Sequence, residues 1–172
     1  LNIDLNLNAT NTVSERPPIE DILGGALSIN PTYPAYDANG QPSVFPDIIN
    51  PITRLALFGD FTNTTGIIGN ISPSFRIIKG LVYKLNFGID NSSSDQDKQL
   101  LPSVTPQQNG DLDSYFVNNK NSLIENYITY DFAKGEHSFS ILAGHSYQKI
   151  FVQTRHWSIH RFGVTGIDPR YN

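Results

Sequence analysis

The chain has 172 residues, of which 16% are charged and none is cysteine, and its formal net charge is −4. This slightly acidic balance excludes the basic surface that nucleic-acid binding requires, and the lack of cysteine excludes disulfide scaffolds and thiolate metal sites. No stretch approaches the roughly 18 consecutive apolar residues of a membrane-spanning helix, so a helical membrane protein is excluded as well.

The first element in chain order is a strand over residues 1–9, where Leu and Ile alternate with Asn and Asp. Because the alternation begins at the first residue, we expect the chain to be part of a larger protein. Residues 10–62 contain many Pro, Gly and Asn residues and predict a long connection. Two short helices are predicted within it, at residues 19–28 and 51–58, the second capped by Asn50.

The next element is a hairpin with strands at residues 63–78 and 81–92. Large apolar residues alternate with polar ones on both strands, so one face is apolar and the other polar. A three-residue turn ending at Gly80 brings the two apolar faces to the same side, because glycine suits the left-handed last position of such a turn. This register pairs Phe75 with Tyr83.

A polar connection over residues 93–120 leads to a second hairpin, with strands at residues 122–133 and 138–151. The alternation returns there, and a turn around Gly135 pairs Phe132 with Phe139. The same register places Asn126 opposite His145, and we predict a hydrogen bond between them on the apolar face. Residues 152–172 are predicted to form a further loop.

The connections alternate between very long and very short. In an up-and-down meander, all short turns then lie on one side and all long loops on the other, which is the arrangement of outer-membrane β-barrels. We therefore predict an all-β fold, an antiparallel up-and-down transmembrane β-barrel to which this chain contributes about five strands. The turns would be periplasmic and the loops at residues 10–62, 93–120 and 152–172 extracellular.

Several segments, in their order and spacing, resemble the barrel of SusC/RagA-like TonB-dependent outer-membrane transporters of Bacteroidetes. They are residues 30–40, 50–51, 69–72, 79–81, 86–90, 137–140 and 143–148. The resemblance implies that residues 1–172 are a partial barrel domain within a plugged barrel of about 22 strands. It also implies import of a nutrient across the bacterial outer membrane, usually an oligosaccharide or a peptide.

The partners implied by the resemblance are a SusD-like surface lipoprotein over the extracellular loops, TonB acting through a region N-terminal to this chain, and the barrel's own plug domain. Outer-membrane lipid would surround the apolar face. The polar face carries Lys84, Asn86, Asp90, Arg76, Glu125, Tyr127 and Asp131, for which we expect contact with the plug and with water.

Four aromatic residues in the predicted loops are the candidate ligand-binding residues: Tyr33, Tyr36, Tyr115 and Trp157. Flat aromatic faces suit sugar rings and apolar peptide side chains, although loop packing or contact with the lipoprotein would explain them equally well. Phe116 belongs to the same group.

No catalytic motif is present, so no catalytic residue, cofactor or resident metal is predicted and the chain is not expected to be an enzyme. His156 and His160 would share a metal only on a helix, whereas their surroundings favour an extended chain, and we expect them on a polar loop face. The acidic pairs Asp95 with Asp97 and Asp111 with Asp113 are read as solvated loop residues rather than a calcium site. Two alternatives remain open: a structural or adhesive outer-membrane barrel without active transport, and a secreted carbohydrate-binding β-sandwich.

Overall fold

The chain folds into one β-sheet whose five strands are arranged in chain order. The computed structural model describes residues 1–45, 48–103 and 108–163. Its strands are β1 (Asn2–Glu15), β2 (Phe58–Ile78), β3 (Leu81–Leu100), β4 (Gly110–Lys134) and β5 (His137–Phe162). Its helices are α1 (Ile19–Ser28) and α2 (Pro51–Leu57). The strands form an antiparallel up-and-down meander, which confirms the predicted fold class. The described residues form no second sheet, as a β-sandwich would require.

Each short turn depends on one glycine with positive φ. Gly80 has a φ of 85°, whereas the φ of the preceding residue, Lys79, is not positive. This is expected for glycine in the last position of a three-residue turn. The backbone N–H of Asp131 donates to the Gly80 carbonyl at 2.8 Å, so this turn is also held against β4. Gly135 has a φ of 62° and takes the first of two central positions in the β4–β5 turn, where type II′ turns place glycine.

The β4–β5 hairpin keeps a single register along its length. The rings of Phe132 and Phe139 stack with centroids 5.1 Å apart, which agrees with the predicted pairing. Tyr115 stacks on His156 further along the same two strands. Asn126 lies opposite His145 in this register, but among the described residues no hydrogen bond joins them. That prediction is wrong because Asn126 Oδ1 instead accepts from the Tyr83 hydroxyl on β3, at 2.6 Å.

The strands extend well beyond their predicted ends. Strand β3 continues to Leu100, β4 begins at Gly110 and β5 reaches Phe162, so the connections predicted at residues 10–62, 93–120 and 152–172 are shorter than expected. The added segments mix polar and apolar residues on each face and therefore lack the regular apolar alternation that predicts a strand. Cross-strand polar pairs hold them together, such as Thr64 Oγ1 with Ser94 Oγ at 2.9 Å.

The chain divides into two compact units. Unit 1 consists of Leu1–Thr12, Thr64–Ser94 and Val117–Thr154, and unit 2 of Val13–Asn63, Asp95–Phe116 and the residues from Arg155 onward. In unit 1, the sheet has an apolar face and a polar face. The apolar face carries exposed side chains from every strand: Ile3, Leu5, Leu7, Ile67, Ile71, Phe75, Ile77, Phe87, Ile124, Ile128, Tyr130, Phe132, Phe139, Ile141, Tyr147 and Phe151.

Unit 2 contains both helices, which pack on each other. Pro51 lies against Gly25, where an added Cβ would approach the Pro51 ring to 3.2 Å. Arg54 of α2 forms an ion pair with Asp21 of α1 at 2.8 Å. Both helices form where the sequence predicts them, and Asn50 caps α2 by accepting from the Ile52 N–H at 3.0 Å. No described helix is long and apolar enough to cross a membrane.

The only buried hydrophobic side chains among the described residues belong to unit 2. They are Leu112, which is 3% exposed, and Phe162, which is 7% exposed. The Phe162 ring covers Gly110 so closely that a Cβ at residue 110 would collide with it. Arg161, immediately before it, is the one described non-glycine residue with positive φ, at 65°. This turn of the backbone precedes the residue that fills the small core.

Candidate functional site

A hydrogen-bonded chain of side chains crosses the polar face of unit 1. Ser72 Oγ of β2 donates to Asn86 Oδ1 of β3 at 2.7 Å, and Asn86 Nδ2 donates to Glu125 Oε2 of β4 at 2.9 Å. Tyr127, two residues along β4, also hydrogen-bonds Glu125. Ser72 is only 4% exposed. Three neighbouring strands are thereby cross-linked on the face that the sequence predicts to be polar.

Beside this chain is a cavity of about 420 Å³ in unit 1. Amide side chains from all five strands contribute to its lining: Asn6, Asn8, Asn70, Asn86, Asn121 and Gln148. The Oδ1 atom of Asn121 is buried and has no hydrogen-bond partner in the described structure. A surface so rich in amides can both donate and accept hydrogen bonds, and it carries little charge.

Unit 2 contains the larger cavity, with a volume of about 600 Å³, which is within the range of small-ligand sites. It lies among the segment leading into α1, the helix α2 and strands β2 to β4. Its lining includes six carboxylates and three basic residues: Glu15, Glu20, Asp21, Asp60, Asp111, Asp113, Arg16, Arg54 and Lys98. Apolar surface comes from Pro17, Pro18, Ile19, Phe58 and Leu100.

Several of these charged groups are held in place by neighbours. Both Nε and Nη2 of Arg54 donate to the same carboxylate oxygen of Asp21, at 3.2 and 2.8 Å. Asp60, a buried residue, accepts from Gln96 Nε2 at 2.7 Å. The Lys98 ammonium lies 5.8 Å from the centre of the Phe58 ring, within cation–π distance. Because carboxylates outnumber bases, the cavity favours a ligand that carries positive charge as well as hydrogen-bonding groups.

Two of the cavity's aspartates are paired with histidines of β5. Asp111 lies 3.1 Å from His160 and Asp113 lies 3.3 Å from His156. The ring of His156 also stacks on Tyr115, with centroids 4.3 Å apart and planes 11° apart. His156 and His160 thus share one face of a strand, as their extended surroundings predict, and each meets a different carboxylate.

No metal centre is formed by this arrangement. The described residues contain no group of three or more His, Cys, Asp and Glu side chains close enough to hold an ion. The acidic pairs Asp95 with Asp97 and Asp111 with Asp113 lie on strands β3 and β4. Their predicted placement on loops is therefore wrong, because the strands extend into segments that lack a regular apolar alternation.

The structure places Tyr33 and Tyr36 in the connection between α1 and α2. Tyr33 stacks on Phe45 with centroids 5.1 Å apart, and Tyr36 forms an isolated β-bridge with Pro42. Asn50, which is 4% exposed, fixes this segment, since its Nδ2 donates to the carbonyls of Ala35 and Ser43 at 2.9 and 3.0 Å. The connection is thus a tied loop rather than an open one.

The structure places Tyr115 and Trp157 on strands β4 and β5. Tyr115 stacks on His156 as described above, whereas Trp157, the next residue after His156, points to the opposite side by strand alternation. The Arg155 guanidinium lies over the ring of Phe116, 4.2 Å from the ring centre. None of Tyr33, Tyr36, Tyr115 and Trp157 lines the 600 Å³ cavity.

The cavity residues that sequence reasoning missed include Asp60, Arg54 and Lys98. They lie on three different elements, and their proximity depends on strand pairing and on helix packing. One signal was present: Asp111 and Asp113 are two residues apart, the spacing that puts two side chains on the same face of a strand. The surrounding sequence lacks the regular apolar alternation of a strand, so the spacing alone does not predict that these two aspartates share a face.

Comparisons with known proteins agree with this fold. No protein-family model matches the chain. A curated relative, TonB-dependent receptor P3 of Formosa agariphila, is 28% identical over 135 residues, which cover 76% of this chain and 14% of the relative. Its name is that of a receptor and not of an enzyme, in agreement with the prediction that this chain is not an enzyme.

Solved structures of RagAB have the same fold. The "closed-closed" and "open-open" states of the RagAB peptide importer each match with a TM-score of 0.64 and 18% identity, over 96% and 94% of this chain. A further structure of the RagAB peptide transporter matches with a TM-score of 0.66 and 17% identity. This chain spans 20% of the length of each of those chains. The chain therefore has the fold of part of the β-barrel in these structures, and its sequence is similar to part of a TonB-dependent receptor.

Proposed function

We propose that the chain forms part of the wall of an outer-membrane barrel that imports a nutrient with energy delivered through TonB. The observation that carries the proposal is the five-stranded meander, which superposes on RagAB over most of its length. The exposed apolar face of unit 1 supports it, because a barrel wall requires a band of apolar side chains facing lipid.

The same layout suggests an orientation. Both tight turns, at Gly80 and Gly135, belong to unit 1, whereas the connection that contains α1 and α2 belongs to unit 2. Outer-membrane barrels keep short turns on the periplasmic side and long loops outside. In this proposal the two turns are periplasmic, and α1, α2 and their connection are extracellular.

The 600 Å³ cavity is then the best candidate for contact with the nutrient on its way into the barrel. It offers charges of both signs and apolar surface from prolines and Phe58, a combination that suits a peptide better than a neutral oligosaccharide. Tyr33, Tyr36, Tyr115 and Trp157 remain candidates for contact with substrate outside the cavity. The polar face of unit 1 would meet the plug domain, with its amide and charged side chains as hydrogen-bonding partners.

The proposed partners are a SusD-like lipoprotein, TonB and the plug. The lipoprotein would cover the extracellular connections, including the tied loop that presents Tyr33 and Tyr36. TonB would act through the plug region of the full-length protein. The similarity to RagAB structures supports a partner of this kind.

Uptake in cells that express the full-length protein tests the function. We expect uptake of labelled oligopeptides to require the protein and to stop when the inner-membrane proton gradient is collapsed, because TonB depends on that gradient. Uptake that continues without the gradient would contradict active import and favour a structural or passive barrel. Uptake of oligosaccharides alone would contradict the peptide assignment.

The cavity is tested by the double variant Asp111→Asn/Asp113→Asn, with Glu136→Gln at the exposed β4–β5 turn as the control. We expect the double variant to raise the half-saturating concentration of cationic peptides several-fold, because it removes two carboxylates from the cavity. Neutral peptides should be affected less. An equal effect of the control would show that overall charge, and not the cavity, is responsible.

A further inference from the structure

A second kind of cavity lies on the apolar face of unit 1. It has a volume of about 380 Å³ and is lined by Ile89, Asn91, Lys120, Asn121, Ser122, Lys149 and Phe151. We call it the dilysine cavity. It is the one described cavity that combines basic side chains with large residues of the apolar face.

Strand alternation shows that both lysines point away from the polar face. Asn119, next to Lys120, donates from its side chain to Ser92 Oγ at 3.3 Å, on the side where Ser94, Asn86 and Glu125 lie. Gln148, next to Lys149, lines the amide-rich cavity of that same face. Successive side chains of a strand point to opposite faces, so Lys120 and Lys149 lie on the apolar face.

The dilysine cavity marks the border where the apolar face ends. On β3 the outward set runs through Tyr83, Leu85, Phe87 and Ile89 and then becomes polar at Asn91. A tilted barrel strand climbs about 2.5 Å per residue, so Ile89 is about 20 Å from the Gly80 turn. An apolar barrel band is about 25 Å tall. The cavity is therefore at the level of lipid headgroups, on the side opposite the short turns.

The two ammonium groups have no carboxylate partner among the described residues. The ion pairs of the described structure involve Arg54, His156 and His160, and no acidic side chain lines the dilysine cavity. Two like charges that share a cavity repel each other unless an anion lies between them. The alkyl stems of lysines can lie along apolar surface while the ammonium groups reach the anion.

We propose that the dilysine cavity binds the phosphate group of an outer-leaflet lipid. Lys120 and Lys149 contact the phosphate, the Asn91 and Ser122 side chains offer hydrogen bonds to the headgroup, and Ile89 and Phe151 contact the first part of an acyl chain. The phosphate is recognised as a point charge by lysine, and the acyl chain by apolar contact. This inference rests on the proposed function, because it requires the apolar face to lie in the outer membrane.

The test uses the full-length protein in detergent and measures equilibrium binding of lipid A and of the same lipid after its phosphates have been removed. The variant is Lys120→Gln/Lys149→Gln. Its control is Lys79→Gln/Lys134→Gln, which removes the same charge at the two short turns. Each lysine near a charged lipid surface contributes about a fivefold change in affinity, so the variant should bind lipid A about thirtyfold more weakly. The control should stay within about twofold of the unaltered protein.

Several results would overturn the proposal. Unchanged binding by the variant, or an equal loss in the control, would show that the cavity does not select the lipid. Equal affinity for the dephosphorylated lipid would show that the phosphate is not the group recognised. Inorganic phosphate that binds as tightly as lipid A would indicate a site for the free ion. Retained lipid binding with lost capture of the SusD-like lipoprotein would assign the lysines to a protein partner.

A folding control separates this inference from the proposed function. Folded outer-membrane barrels migrate differently on gels before and after heating, and we expect the variant to show the same shift as the unaltered protein. If the unaltered protein is absent from the outer-membrane fraction, the proposed function fails. If the variant is inserted, imports normally and still binds lipid A tightly, only the lipid site fails.

Discussion

Units 1 and 2 are built from the same five strands and yet face different surroundings. In unit 1 one face of the sheet carries most of the large apolar side chains, and these are exposed on every strand. In unit 2 the strands lack a continuous apolar face, and both helices, all described ion pairs and the 600 Å³ cavity are found there. The same five strands run through both units, so their side-chain pattern distinguishes the proposed lipid-facing wall from the proposed rim around the 600 Å³ cavity.

The largest difference between the units should follow from a charge placed on the outward side of β4. Ile128→Arg puts a cation near the middle of the apolar face, where the cost of arginine in a membrane barrel is about 2–4 kcal/mol. Ser114→Arg, on the same alternating set of β4 in unit 2, should change stability by less than about 0.5 kcal/mol. Urea unfolding of the full-length protein in phospholipid vesicles measures both. Equal costs would contradict the distinction between wall and rim.

Truncation of a leucine should destabilise the protein more in unit 2 than in unit 1, which is the reverse of the order expected for arginine. Leu112→Ala empties part of the protein core of unit 2 and should cost about 2–3 kcal/mol, because a cavity remains. Leu5→Ala on the apolar face of unit 1 should cost less than half as much, since lipid fills the space. Urea unfolding in vesicles measures the loss of unfolding free energy for each variant. Hydrogen exchange should become faster around residue 112 only in Leu112→Ala. Similar costs for the two would mean that protein covers Leu5.

Substitution of two glycines with positive φ compares the stability contributed by a tight turn of the wall with that contributed by a turn of the connection between α1 and α2. Gly80→Ala and Gly40→Ala both force alanine into the left-handed region, at φ values of 85° and 76°, which costs about 1–2 kcal/mol. The added Cβ at residue 80 also collides with the Asp131 carbonyl, whereas that at residue 40 has nothing within 4 Å. Gly80→Ala should therefore cost about 1 kcal/mol more. The midpoint of unfolding decides the order, and a greater loss from Gly40→Ala would refute it.

The smallest effect should come from the histidine pairs of unit 2. His160 and Asp111 are both well exposed, and exposed ion pairs contribute at most about 1 kcal/mol. Asp111→Asn should leave the unfolding midpoint almost unchanged while it alters peptide uptake. A large loss of stability would show that this pair supports the strands rather than the ligand site.

Sequence reasoning succeeded where one local pattern decides the structure. The alternation of residues 63–92 and 122–151 predicts both hairpins, and the Asn50-Pro51 pair predicts the start of α2. It failed where the stabilising partner is distant in sequence. Ser94 looks like a loop residue until Thr64 is placed beside it, and nothing near Asn50 indicates that its side chain also holds Ala35 and Ser43.

The candidate site shows the same division. The residues around His156 and His160 predict an extended chain, and although a loop is predicted there, the two histidines share a face of β5. Their partners Asp113 and Asp111 depend on the register of β4 against β5. The cavity is lined by four separate segments of the chain. No local sequence pattern predicts that these segments are close in the folded structure.

The unbroken register of the β4–β5 hairpin has a consequence for how such proteins can diverge. Loss or gain of one residue in β5 between Phe139 and His156 would move His156 and His160 to the opposite face and separate them from Tyr115, Asp113 and Asp111, whereas a change of two residues would only shift them along it. Length changes inside this ladder are thus tolerated in even steps. The connection between α1 and α2 has no such parity, so outside the segment that Asn50 ties to Ala35 and Ser43 its length can change by odd as well as even numbers of residues.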